Sequence, residues 1–201
     1  MPKTLVFDIG NVLIEWDPDR LFSELIPDPV KKADFMRRVL PPEWNMEQDR
    51  GRPWAEAEAE RIALFPEHAD LIRAFRARWH DMVPGPIEKN VAVLEAARAA
   101  GIPCYAITNF ASDTLIEAQE RFSFLNGFEG IVVSAAEQLL KPDPAIFHVF
   151  LTRYGQRADD CLFMDDSAAN IATAQQLGFA TIHVTPETDL RHDVTAQGFS
   201  L

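Results

Sequence analysis

The sequence predicts an α/β protein: a doubly wound parallel sheet with a block of helices inserted after its first strand. Three observations support this. From about residue 86 onward, short apolar runs alternate with segments whose apolar residues recur every three or four positions, as in a parallel sheet covered on both faces. A lone strand-like run, TLVFD, stands near the start of the chain. Between the two, roughly residues 15–85 space their apolar residues as helices do, though less tidily.

The first strand is expected at about residues 3–9, ending at Asp8, with the flexible pair Gly10-Asn11 directly behind it. In the helical block, PDRLFSELI, DPVKKADFMRRVL, PWAEAEAERIALF and EHADLIRAFRARWHDMV each show helical spacing. Asp17 and Asp28 precede prolines, the arrangement of an N-cap with Pro at the first helical position. Pro41-Pro42 and Gly51-Arg52-Pro53 read as punctuation. After residue 86, IEKNVAVLEAARAAG predicts a helix closed by Gly101, and IPCYAIT a strand. SDTLIEAQERF, PAIFHVFLTRYG and SAANIATAQQLG follow as helices, separated by the strands GIVVS, CLFMDD and ATIHV. The closing DLRHDVTAQGFSL reads as a short amphipathic helix or a tail. The expected division is a core of residues 1–14 and 86–201, with a helical insert at 15–85.

Bulk properties narrow the function. With 47% hydrophobic and 25% charged residues over 201 positions, the chain has the composition of a globular domain. It has no apolar run of the roughly 18 residues that span a membrane. The apolar run in MPKTLVFDIG is too short for a signal peptide, so a cytoplasmic location is expected. The net charge of −12 argues against nucleic-acid or anionic-membrane partners, which require a basic face. It leaves room for a small anionic substrate, because a local cation can reverse the field within one cleft. Cys104 and Cys161 sit in strand-like runs and are expected to be buried free thiols. Neither oligomeric state nor a specific substrate is written in the sequence.

Doubly wound sheets bind ligands beyond the carboxyl ends of their strands. The predicted strand ends bring Asp8, Thr108-Asn109, Lys141 and Asp165-Asp166 to one rim. Each has a structural alternative: Asp8 as a turn residue, Thr108 and Asn109 as helix caps, Lys141 as a solvated surface group, Asp166 or Ser167 as a helix start. Together they make an anion-and-metal site containing a carboxylate, suited to phosphoryl transfer through a covalent aspartyl intermediate. A phosphate dianion repels a carboxylate, so a hard dication such as Mg²⁺ is expected. Its ligands would be Asp8, the Gly10 carbonyl and Asp166, with Asp165 assisting. Lys141 would neutralise the transferred group, and Thr108 with the backbone near Asn109 would donate hydrogen bonds to it.

FDIGNVL, AITNF, LLKPDPAIF and FMDDSAANI, in this order, resemble the four motifs of the haloacid dehalogenase superfamily of hydrolases. The resemblance covers residues 3–185 and implies a Rossmann-like core, with the helical insert as a cap that closes over the site and selects substrate. It implies Asp8 as nucleophile, Thr108 and Lys141 on the phosphate, and Asp165 and Asp166 serving the metal. Asn11 and Trp16 join the expected substrate side. The first motif departs from the usual phosphatase pattern, which has an Asp two residues after the nucleophile as general acid and base. Here that residue is Gly10, and Asn11 stands where glycine is usual. Some sugar-phosphate phosphatases of the family also read D-x-G-N, and a backbone carbonyl binds metal without a side chain. What Gly10 leaves open is proton delivery, with water, the substrate or a cap residue as replacements; Glu15 and Asp17 lie near in sequence.

The expected function is therefore a Mg²⁺-dependent phosphatase acting on a small phosphate monoester, sugar phosphates included. One rival is a 2-haloacid dehalogenase with the same Asp nucleophile, no metal, and a halide-cradling arginine such as Arg20, Arg37 or Arg38. Another is a binding or regulatory protein that kept the fold and lost turnover. All four tryptophans, Trp16, Trp44, Trp54 and Trp79, fall in the insert, either filling its core or, for Trp16 first, stacking on an organic leaving group.

Overall fold

The computed structural model describes residues 2–201. Five strands, β1 (Thr4–Phe7), β2 (Cys104–Thr108), β3 (Gly130–Val133), β4 (Cys161–Asp165) and β5 (Ala180–His183), form a wholly parallel sheet in the order β3-β2-β1-β4-β5. This is the doubly wound sheet expected. β1 is central and buried along its whole length, which is why it reads as an unbroken apolar run rather than an alternating one. Leu5 and Phe7 face one apolar layer, while Val6 faces the other. The chain winds from β1 out to β3 and then crosses to β4, on the other side of β1. The loops after β1 and β4 therefore diverge at a topological switch point.

The insert holds α1 (Pro18–Leu25), α2 (Pro29–Arg38), α3 (Pro42–Asp49), α4 (Trp54–Leu64) and α5 (Ala69–Ala77), with 3₁₀ turns at Pro66–His68 and Trp79–Met82. The core helices are α6 (Glu88–Ala99), α7 (Ser112–Arg121), the short α8 (Ser134–Glu137), α9 (Pro144–Arg153), α10 (Ala168–Gln176) and α11 (Leu190–Ala196). α6 and α11 cover the Leu5/Phe7 face, while α9 and α10 cover the Val6 face. The C-terminal stretch forms α11, whose cap Asp189 accepts from His192 N–H at 3.1 Å.

Local differences from the sequence reading have identifiable causes. Asp28 caps α2 as expected, accepting from Val30 and Lys31 N–H at 2.9 and 3.2 Å. Asp17 occupies the N-cap position of α1, but its side chain accepts no cap bond. Pro41-Pro42 does not break the chain; Pro42 opens α3, where its missing N–H costs nothing. The long helix expected over 67–83 ends at Ala77 and continues as a 3₁₀ turn. Cys104 and Cys161 are buried and unbridged.

The insert does not have a core of its own. Phe75 gathers Trp16, Phe22, Trp44 and Trp54 with ring centroids 5.3–6.2 Å away. Trp79 extends this packing to Phe110 of the sheet's rim at 5.9 Å, and the whole apolar cluster is continuous with the Leu5/Phe7 layer. The two linkers to the insert run side by side: Glu15 N–H donates to Gly85 O, Asp17 N–H to Met82 O and Ile87 N–H to Leu13 O, at 2.8–2.9 Å. A second junction lies at the end of α3, where Ser134 Oγ donates to Asp49 O at 2.5 Å. Beside it Gly51 adopts φ +106°, and a Cβ there would stand 2.8 Å from Ala135 O. Gly51→Ala is accordingly expected to cost about 1–3 kcal/mol from backbone strain alone. It should appear as a lower urea midpoint at unchanged slope.

Candidate active site

The strand ends converge as the sequence reading requires. Asp8, one residue beyond β1, is held by its backbone N–H donating to Met164 O at 2.8 Å, which ties it to the end of β4. Its Oδ1 accepts from Ile9 N–H at 2.7 Å and pairs with Lys141 Nζ at 2.9 Å, leaving Oδ2 as the oxygen without either donor. Lys141 is 2% exposed. Its ammonium also donates to Asp165 Oδ2 at 2.7 Å and to Ile107 O at 2.8 Å, so all three N–H bonds are engaged. A buried lysine is tolerable here because two carboxylates and a carbonyl replace its water.

Asp165, fully buried, has both oxygens occupied. Oδ1 accepts from Ser167 N–H (2.8 Å) and Asn170 Nδ2 (2.9 Å), and Oδ2 accepts from Lys141 and, at 3.1 Å, from Asn170. Asp166 is the more accessible of the acidic pair. Asp8, Asp165 and Asp166 each offer one oxygen, all within 4.8 Å of one another. Burial, with the neighbouring Asp165 charge, pushes the Asp8 carboxyl up to about 7 against the pull of Lys141. Burial and Asp165 also raise Asp166, while a hydrogen bond from Asn11 lowers it. Burial works against the Lys141 ammonium, but Asp8 and Asp165 outweigh it and hold its pKa above the usual lysine value. Three clustered carboxylates against one ammonium form an oxygen-rich set with an excess of negative charge, which suits a hard dication.

A cavity of about 330 Å³ opens over this cluster, within the range of small-molecule sites. Asp8, Gly10, Asn11, Lys141 and Asp166 form its polar floor. Asn11 adopts φ +51°, a left-handed conformation that Asn tolerates. Its Oδ1 accepts from Trp16 N–H at 3.0 Å, so Asn11 shapes the loop. Trp16 lines the wall together with Trp54, Trp79 and Met46 of the insert, whereas Trp44 is buried away from it.

Two expected phosphate binders are placed differently. The Asn109 side chain lines the cavity but is bonded to the Lys141 backbone, donating to its carbonyl at 3.0 Å and accepting from its N–H at 2.8 Å. This clasp fixes the lysine. Thr108 is fully buried at the strand end and does not line the cavity, and its hydroxyl has no partner. Among the described residues no arginine lines the cavity; Arg37 and Arg38 pair with Asp34 at 2.5 and 3.0 Å on the surface. Glu15 and Asp17 also lie off its wall.

Sequence reasoning missed two site residues. Asn170, which holds both Asp165 oxygens, sits one turn into α10 and could have been found from its spacing to the acidic pair. Asp49, the last residue of α3, faces the cavity from the insert. Asn45 Nδ2 donates to its Oδ2 at 3.0 Å. Burial pushes its carboxyl up to about 7, opposed by a hydrogen bond from Ala111 N–H.

A parallel sheet of this order, with a carboxylate paired to a buried lysine and an acidic pair at its switch point, makes this a doubly wound α/β protein with its charged groups gathered at one rim. Over residues 2–178 the chain matches the haloacid dehalogenase-like hydrolases, and it belongs to that family. A sesquiterpene phosphatase of Aspergillus oryzae is 23% identical over 185 residues, spanning 91% of this chain and 90% of that protein. In structure, the chain is similar to a haloacid dehalogenase family enzyme of Bacteroides thetaiotaomicron solved with magnesium and inorganic phosphate. The TM-score is 0.75 at 20% identity, covering 96% of this chain and 98% of that one. The L-2-haloacid dehalogenase of Xanthobacter autotrophicus shares the fold at TM-score 0.65 and 17% identity, over 99% of this chain and 84% of that one. Among the described residues no helix is long and apolar enough to cross a membrane.

Proposed function

We propose that this hydrolase is a Mg²⁺-dependent phosphatase that cleaves a small phosphate monoester through an aspartyl-phosphate on Asp8. The observation that carries this reading is the Asp8–Lys141–Asp165 array beside Asp166 under one cavity. Asp8 Oδ2, free of the donors that hold Oδ1, attacks phosphorus; the new Asp8 O–P bond forms as the bond to the leaving alcohol breaks. Water then attacks the same phosphorus, releasing inorganic phosphate and the carboxylate. Lys141 stabilises charge on the transferred group, and Asp165 with Asn170 and Asn109 keeps the lysine in place. The unpartnered Thr108 hydroxyl is buried at the end of β2, off the cavity wall, and would have to be uncovered to donate to a phosphate oxygen. A magnesium ion held by Asp8, the Gly10 carbonyl and Asp166, with Asp165 behind them, would supply the positive charge that lets a carboxylate approach a phosphate dianion.

The insert acts as a cap in this reading, and it brings Trp16, Met46, Trp54 and Trp79 to the wall, with Asn45 and Asp49 as its polar residues. Such a wall favours an ester of an apolar or aromatic alcohol over a sugar phosphate. The likeness to a sesquiterpene phosphatase supports the same preference. The absence of arginine from the wall, among the described residues, removes the halide cradle that a dehalogenase reading needs. Phosphate release is expected to fall at least about 10²-fold in chelator and to return on addition of Mg²⁺. Halide release from a 2-haloacid that is undiminished by chelator, with no phosphate release, would instead establish the dehalogenase.

A further inference from the structure

We propose that Asp49, carried into the cavity by the insert, is the general acid and base of this reaction, replacing the carboxylate that Gly10 cannot provide. The inference rests on the phosphatase reading above. Of the three carboxylates on the cavity wall, Asp8 is the nucleophile and Asp166 belongs to the metal cluster; Asp49 stands outside both. It comes from the insert, which also supplies Trp16, Met46, Trp54 and Trp79 to the same wall.

Asp49 is also held in place. Asn45 Nδ2 donates to its carboxylate at 3.0 Å, and Ser134 Oγ fastens its carbonyl at 2.5 Å. The same Ser134 Oγ accepts from Phe110 N–H at 2.8 Å, so α3 is tied to the loop that follows β2. Asn109 of that loop clasps Lys141. Hydrogen bonds through Ser134 and Asn109, joined by the Asn109–Phe110 peptide, thus tie the Asp49 backbone to the lysine that pairs with Asp8. Neighbouring cations are engaged elsewhere, Arg50 with Glu47 at 3.5 Å and Arg52 with Glu60 at 3.1 Å. Burial without a partner cation keeps the carboxyl protonated up to about pH 7, as a proton donor near neutrality requires.

The proton balance closes over two steps. As the Asp8 O–P bond forms and the ester bond breaks, the electron pair goes to the alcohol oxygen, which takes the Asp49 proton and leaves as alcohol. The Asp49 carboxylate then accepts a proton from water as the water oxygen attacks phosphorus. Inorganic phosphate and the Asp8 carboxylate separate, and Asp49 is protonated again.

The test is kcat/KM across monoesters from p-nitrophenyl phosphate, whose leaving group needs no proton, to alkyl phosphates, which do. Asp49→Asn is expected to lower kcat/KM for alkyl esters by about 10²–10⁴-fold and for the nitrophenyl ester by less than tenfold. Loss of the base also slows hydrolysis of the aspartyl-phosphate. The variant should therefore release one equivalent of nitrophenolate in a burst before slow turnover, which a merely structural role would not produce. A Cβ at Gly10 meets nothing within 4 Å, so adding Gly10→Asp to Asp49→Asn is expected to recover part of the alkyl-ester activity. Equal losses on both ester classes, or no loss on either, would overturn the role of Asp49 while leaving the phosphatase reading intact. Failure of the wild-type protein to cleave any monoester would overturn both.

Discussion

Asp8→Asn is expected to lose turnover of every monoester by roughly 10⁶-fold, the scale of deleting the nucleophile of a covalent hydrolase. The amide has almost the same shape, and its oxygen can still accept from Ile9 N–H and Lys141. What it cannot do is form an acyl phosphate. The same substitution is expected to stabilise the metal-free protein above neutral pH. Folded Asp8 titrates near 7, against about 3.9 when unfolded, so between those values the folded state holds the extra proton and stability falls as pH rises. A neutral Asn is spared that loss, and each 1 kcal/mol recovered raises Tm by about 2–4 °C. Calorimetry in chelator at pH 8, paired with phosphate-release assays, checks both halves. Retained turnover would remove Asp8 from the nucleophile's role.

Lys141→Met is expected to be damaging in a different way. The methionine fits the space but leaves Asp8 and Asp165 facing each other with no cation between them, both nearly free of solvent. Removing one partner of a buried ion array typically costs 3–5 kcal/mol, which here corresponds to a Tm lower by about 6–20 °C. Lowering the pH should restore part of this, because protonating either carboxylate relieves the repulsion. Activity is expected to fall by about 10²–10³-fold in the folded fraction, as when a charge-stabilising donor is lost. Unfolding curves at pH 5.5 and 8 against kcat at saturating substrate separate the two effects. A variant with wild-type Tm and rate would show that the lysine is neither brace nor catalyst.

The alternating half of the fold was legible because each element there carries its own signal: an apolar strand, a periodic helix, and Gly101 or Pro144 at a boundary. The strand ends then point to Asp8, Lys141, Asp165 and Asp166 as neighbours on one rim. α3 was not legible. Its apolar residues Trp44 and Met46 do not define one helical face, and Pro41-Pro42 has the appearance of a break although Pro42 is a start. Asp49 was lost with it, inside a stretch that reads as a turn before Gly51. Asn109 shows a further limit. Its residue type and position fit a phosphate binder, but the partner its amide finds lies 32 residues away, on the Lys141 backbone, and only the folded chain brings them together.

The paired linkers have a mechanical consequence. Two segments of chain bonded to each other by three backbone hydrogen bonds resist swivelling separately, so they join the insert to the core as a single strap. Lifting Asp49 and Trp54 off the pocket would also break the bonds from Ser134 Oγ to Asp49 O and from Trp54 Nε1 to Asp113. Trp16 lies on the strap itself: its N–H reaches Asn11 on the core side while its ring packs on Phe75 and Trp79, so one residue ties the floor of the pocket to its roof.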